Sequence, residues 1–171
     1  VGDALTDADF NTALGTHSLS SDTKGNKSVA IGYAALFAQN FTSSTDTFNT
    51  AVGYDTGKAI TTGIQNTIVG SLAGDALTTG KEQIAIGYEA LSAETNGIAS
   101  TAVGYQALKA QNGSGAINVY NVAVGYQAGL SVTTGRRTTL VGGLAGDALT
   151  TGLYNTAVGY TALGYDQQGD Y

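Results

Sequence analysis

Short alternating runs of apolar and small residues recur along the chain. In YNTAVGY (154–160), Thr156, Val158 and Tyr160 share one parity, and Asn155, Ala157 and Gly159 the other. One face is β-branched or aromatic and the other small, the period-two pattern of a strand. Nearly the same run returns as QIAIGYEAL at 83–91, STAVGYQAL at 100–108 and NVAVGYQAG at 121–129. Glycines and turns interrupt too often for a helix, and no heptads survive for a coiled coil.

The glycine that closes each run serves as an anchor: Gly15, Gly32, Gly53, Gly70, Gly87, Gly104, Gly125, Gly142 and Gly159. The spacings between successive anchors are 17, 21, 17, 17, 17, 21, 17 and 17, so the pattern closes every fourth unit, as from Gly15 to Gly87 and on to Gly159. That four-unit super-repeat is literal in places: LAGDALTTG at 72–80 returns unchanged at 144–152. Four residues past the anchors, pairs of Leu (Leu19, Leu36; Leu91, Leu108) alternate with pairs of Gly (Gly57, Gly74; Gly129, Gly146). Seven residues before the anchors stand Gly25, Gly63, Gly80, Gly97, Gly135 and Gly152, with Ala8, Asp46 and Asn118 as exceptions. That position reads as a left-handed turn residue. A second short strand is expected at 58–61, 75–78 and 130–133.

Two strands and two turns fill one regular unit. The spacing therefore predicts an all-β parallel β-solenoid, one domain over 1–171, with nine anchor strands stacked in register. At about 4.8 Å per coil the rod would be roughly 43 Å long. So thin a coil has little interior of its own. Copies of the chain are expected to cover its small Ala/Gly face or its Tyr face around a cyclic axis.

Composition narrows the chemistry. The chain has no Cys, Pro, Met or Trp and a single histidine, His17. Disulfides, thiolate chemistry and multi-histidine metal sites are excluded, and the absence of Pro suits an unbroken ladder. A net charge of −6 with seven scattered cations gives no footprint for nucleic acid. No apolar run approaches a membrane span. Both ends fall inside a repeat, so the chain reads as a piece of a longer fibre.

SVAIG at 28–32 resembles the signature of YadA-like head repeats in trimeric autotransporter adhesins. AVGYQAL (102–108) and AVGYQAG (123–129) are similar to the variant found in phage tail fibres and bacterial surface fibres. The resemblance runs from Asn11 to Leu163. It implies a left-handed parallel β-roll, a homotrimer around one axis, and an extracellular place on a virion or bacterial surface. Both the regular and the lengthened units exceed the usual adhesin repeat, and these 171 residues carry no motif of a neck, stalk or membrane anchor.

The expected function is therefore a non-enzymatic, structural or adhesive fibre segment that attaches to a cell-surface glycan or receptor without a cofactor or metal. Specificity is expected in the two lengthened loops, 37–46 and 109–118, since loops on a rigid scaffold are free to vary. The candidate residues are Phe37, Gln39, Asn40 and Phe41 in the first, and Lys109, Gln111, Asn112 and Ile117 in the second. GSG at 113–115 reads as a flexible tip. The Tyr residues after six anchors (Tyr33, Tyr54, Tyr88, Tyr105, Tyr126, Tyr160) read as packing more than as a glycan strip. Asp3, Asp75 and Asp147 of GDAL read as turn-closing residues, and His17, Arg136 and Arg137 as solvated ones. A depolymerase would need paired carboxylates in a groove, whereas Glu89 aligns with Asp55, Gln106, Gln127 and Thr161 and reads as solvated. An ice-binding solenoid ranks last, because the Thr pairs of TTG sit at turns.

Overall fold

A computed structural model describes residues 1–113, 115 and 117–169. Its strands are β1 (Thr12–Leu14), β2 (Gly25–Asn26), β3 (Val29–Ile31), β4 (Thr45–Asp46), β5 (Thr50–Val52), β6 (Thr67–Val69), β7 (Ile84–Ile86), β8 (Thr101–Val103), β9 (Val122–Val124), β10 (Thr139–Val141) and β11 (Thr156–Val158). The three-residue anchor strands form one nine-stranded sheet in the order β1-β3-β5-β6-β7-β8-β9-β10-β11, parallel throughout. Register follows the repeat: Thr50 pairs with Thr67, Ile84 with Thr101, and Thr101 with Val122 across a lengthened unit. The chain is thus a parallel β-solenoid of nine coils, with no helix among the described residues.

Left-handed backbone falls at four places in each coil. They are the anchor glycine (φ from 117° to 146°) and the residues five before, two after and four after it, as in Glu82, Glu89 and Leu91 around Gly87. Most of these residues carry a Cβ, at roughly 1–2 kcal/mol each. The cost is offset by hydrogen bonds along the rod. The Gln106 amide donates back to the Tyr88 carbonyl at 2.8 Å, while the Leu108 amide donates forward to the Ala128 carbonyl at 3.0 Å. Alternating handedness lets a tight bend bond to both neighbouring coils.

Two expectations are corrected here. The glycines seven before the anchors are not left-handed. They are small because a neighbour lies against them: a Cβ on Gly63 would stand 2.5 Å from the Gly80 carbonyl oxygen, and one on Gly97 would stand 2.6 Å from a Glu94 carboxylate oxygen. Likewise 58–61, 75–78 and 130–133 are turns and bends, not strands. The second ladder runs through the pair β2–β4 and the bridges Lys81–Ile98, Ile98–Asn118 and Arg136–Leu153.

The interior is also fuller than the thin-coil argument allows. The small strand face points inward, and Ala30, Ala51, Ala85, Ala102 and Ala123 are buried. It cannot be a subunit interface. Large and small residues interlock against it. Where the position four after the anchor is Leu, the one seven after is polar, as in Leu91 with Glu94 and Leu108 with Gln111; where it is Gly, that position is apolar, as in Gly57 with Ile60 and Gly74 with Leu77. A Cβ on Gly74 would meet Ile68 at 3.2 Å. The four-coil super-repeat is a packing cycle at interior density.

The remaining interior is an amide ladder. Asn49 donates to the Gly63 carbonyl (2.8 Å) and accepts from the Asn66 amide (3.0 Å); Asn66 in turn bonds Gly80 and Gln83. Each buried side-chain amide thus satisfies backbone groups of the next coil that would otherwise be costly to bury.

Candidate functional site

The lengthened loops are pinned from within. Gln39 is fully buried and donates to Asp22 Oδ2 (2.6 Å) and Ser28 Oγ (2.9 Å), while its oxygen accepts from Asn49 (2.9 Å). Gln111, its counterpart one super-repeat on, is equally buried and bonds Glu94 Oε2 (2.9 Å), Ser100 Oγ (3.0 Å) and Asn121 (2.8 Å). Phe41 is buried, and its amide points at Asp22 Oδ1. These three candidates hold the loops in place and present nothing to a partner. Asn40 and Asn112 are exposed, each capped by a threonine hydroxyl of the preceding coil (Thr23 and Thr95, both 3.0 Å). Ile117 is half-buried, with its amide on the Gly115 carbonyl at 2.8 Å. Ser114, the middle residue of the GSG tip, and Ala116 lie outside the described residues.

Phe37 and Lys109 stand apart from the loop tips, on the flank of the rod. Phe37 is exposed, edge-on to His17 at 6.1 Å. Lys109 is half-buried and pairs with Glu89 Oε2 at 2.6 Å; Gln106 donates to the same oxygen at 2.7 Å. These two donors hold the Glu89 carboxyl below its usual range.

Beside Glu89 lies Asp75, from the preceding coil. Burial is the main cause that raises its pKa, with the charges of Glu89 and Asp55 adding to it; bonds from its own amide and that of Ala76 oppose the rise. Its Oδ1 is buried without a hydrogen-bond partner among the described residues. An acid whose folded pKa is raised gives up stability as it ionises, so this group's contribution improves as pH falls through its folded pKa. Asp75→Asn is therefore expected to raise the thermal midpoint at neutral pH by about 1–2 °C, the effect of about 0.5 kcal/mol in a chain of this size after allowance for partial exposure. The advantage should shrink as pH falls from neutral through the raised folded pKa of Asp75 and be gone below the unfolded carboxylate's value of about 3.9, which parallel melts at pH 7 and pH 3.5 will check.

The outward strand face carries three rows: Thr, Val or Ile three before the anchor, a branched residue one before it, and most often Tyr one after. Leu14, Ile84, Ile86, Val124 and Val158 are exposed on it. Tyr33 stacks on Tyr54 (5.3 Å between centroids), and Tyr88, Tyr105 and Tyr126 form a continuous stack at 5.5 and 5.3 Å. Thr16, Ser71 and Gly143 leave three rungs of this ladder empty. The Thr rank at Thr50, Thr67, Thr101, Thr139 and Thr156 lies on this flat face, not only at the TTG turns.

Comparison with family models, with curated proteins and with solved structures finds no match.

Proposed function

We propose that the chain is a structural and adhesive segment of an extracellular fibre, a trimeric left-handed β-roll of the kind carried by phage tails or bacterial surfaces. The observation that carries this reading is the uncovered strand face. It is about five residues wide and nine coils long, roughly 16 Å by 43 Å or about 700 Å². That approaches one partner's share of a standard interface. A face repeated in register along a rod suits lateral association with copies of itself around a common axis. The Thr rank is interrupted by Val29, Ile84 and Val122 and flanked by Val, Ile and Tyr rows. Such a surface favours protein cover over ice. Three parallel rods would present each lateral feature in triplicate, so weak contacts to a cell surface would multiply.

Sedimentation equilibrium at micromolar concentration should give three chain masses. The double variant Val103→Asp, Val124→Asp places charge on the face and should leave folded monomers. A folded wild-type monomer under those conditions would overturn the reading.

A further inference from the structure

The flank that carries Lys109 and Phe37 is hollowed at two places. The larger groove, about 690 Å³, includes Glu89, Gln106, Lys109 and Leu130 among its walls. The smaller, about 270 Å³, includes His17, Ala34, Phe37 and Lys58. Each residue of this second set stands one super-repeat before its counterpart in the first: His17 to Glu89, Ala34 to Gln106, Phe37 to Lys109, Lys58 to Leu130. The super-repeat therefore builds the same concavity twice and lines it with different chemistry. Positions pointing inward are bound by size and hydrogen bonding, whereas these vary in charge, aromaticity and length.

We infer that the larger groove is a binding site for a neutral or amino pyranose unit of a glycan; this rests on the adhesive reading above and names its ligand class. A volume of about 690 Å³ falls in the range of small-molecule sites. Ala93, Ala110 and Leu130 supply apolar wall for the C–H face of a sugar ring. Around them stand Glu89, Lys109 and Gln106, already bonded to one another, with Ser92, Ser131 and Thr133 as further hydroxyls. Asp75 also stands in the wall and supplies a second carboxylate. Two carboxylates against one ammonium leave the groove net negative, which favours hydroxyl or ammonium donors and disfavours uronates. No carboxylate lines the smaller groove, where Lys58 is paired with Asp55 at 3.0 Å beside His17 and Phe37, and it should not share the preference.

The protein itself supplies a fold-compatible test. Glu89→His, Gln106→Ala, Lys109→Phe and Leu130→Lys together install the lining its own backbone already carries one super-repeat earlier. Methyl-labelled wild-type fibre is titrated with methyl glucoside, methyl galactoside, glucosamine and methyl glucuronide up to tens of millimolar, followed by NMR, with circular dichroism and sedimentation as fold controls. Saturable shifts at the Ala93, Ala110 and Leu130 methyls are expected for at least one neutral or amino sugar, with the glucuronide at least about tenfold weaker. The four-residue exchange should abolish the shifts at Ala93 and Ala110, and Asp75→Asn, which removes one negative charge, should narrow the margin against the glucuronide. Silence at these methyls for every sugar, equal binding of the glucuronide, or unchanged binding by the folded exchange variant would each overturn the inference. If the unmodified trimer attaches to cells while the sugars leave the groove untouched, the site falls and the fibre reading stands. Failure to trimerise and attach removes the fibre reading whatever the sugars do.

Discussion

Gly70→Ala is expected to break the rod near its middle. Gly70 has φ of 130°, and a Cβ there would stand 2.5 Å from the Gly87 carbonyl oxygen and 2.7 Å from its carbon. Strain alone costs about 1–3 kcal/mol. The overlap then forces adjacent coils apart by most of an ångström, against the ladder bonds Gly70 N–H to Val52 O and Gly87 N–H to Val69 O, both 2.8 Å. The combined cost should exceed about 4 kcal/mol, a large part of the 5–15 kcal/mol that holds a typical domain together. Because each coil touches only its neighbours, the damage should divide the stack into two separately melting parts. Two controls isolate the cause. At Gly159 φ is again 130°, but among the described residues only Ala162 Cβ lies nearby, at 3.9 Å, so Gly159→Ala should cost the strain alone. Gly143 occupies the Tyr position, and its added Cβ would meet only the Tyr160 ring at 3.4 Å, so Gly143→Ala should be nearly silent. Calorimetry should show a midpoint loss of more than about 10 °C for Gly70→Ala, less than half of that for Gly159→Ala, and almost none for Gly143→Ala. Equal effects at Gly70 and Gly159 would contradict the role given to coil contact.

The repeat was legible because stacking writes itself into spacing. Each coil must place the same atoms above the last, so Gly32, Gly53 and Gly70 mark the same rung, and counting between them yields the register of β3, β5 and β6. The alternation of YNTAVGY likewise marks a strand, but parity alone does not say which side is inside. Small residues can face either a close partner or a narrow interior, and here Ala102 and Ala123 face the interior. The glycines seven before the anchors were ambiguous for a similar reason. Glycine serves both positive φ and lack of space, and only the neighbour at Gly63, the Gly80 carbonyl, separates the two. Turns at 58–61 resemble a strand in composition because Ala59 and Ile60 are apolar, yet Ile60 is apolar to fill the space over Gly57, where an added Cβ would stand 3.0 Å from it. In the candidate loops, Gln39 and Gln111 have the composition of surface residues, and only their partners reveal that they are interior. A signal was present nonetheless: Asp22 and Glu94 sit one super-repeat apart, as do Gln39 and Gln111, and a carboxylate repeated beside a repeated amide is a hint of pairing. The grooves were beyond reach, since they depend on Glu89, Gln106 and Leu130 from three successive coils.

Glu94→Ala is expected to destabilise the chain by about 3–5 kcal/mol, because it opens a cavity and orphans several buried amide donors at about 1–3 kcal/mol each. Glu94 is fully buried, and its Oε1 accepts from the amides of Thr95 (2.9 Å), Asn96 (3.1 Å) and Gly97 (2.7 Å). Its Oε2 accepts from Gln111 (2.9 Å) and from the Gly113 amide in the second lengthened loop (3.1 Å). One carboxylate thus closes its own turn and ties down the loop of the next coil. Glu94→Gln should be nearly as harmful, because its NH₂ must face donors on at least one side. Size can be restored without charge by borrowing the other half of the packing cycle. Leu91→Gly with Glu94→Leu recreates the Gly74–Leu77 arrangement of the preceding coil. Each single change should destabilise, by a cavity in the first and by overpacking with orphaned amides in the second. Together they should recover about 1–3 kcal/mol of their summed loss, the coupling expected of residues that share one space. The deficit that remains belongs to the Gln111 side chain and the Gly113 amide, which Leu cannot satisfy. Hydrogen exchange should therefore find Gly113 unprotected in the double variant even where Ala90 and Ala107 have regained protection. Strict additivity of the two single changes would sink the size-compensation account. A protected Gly113 amide would sink the assignment of Glu94 as the loop's tether.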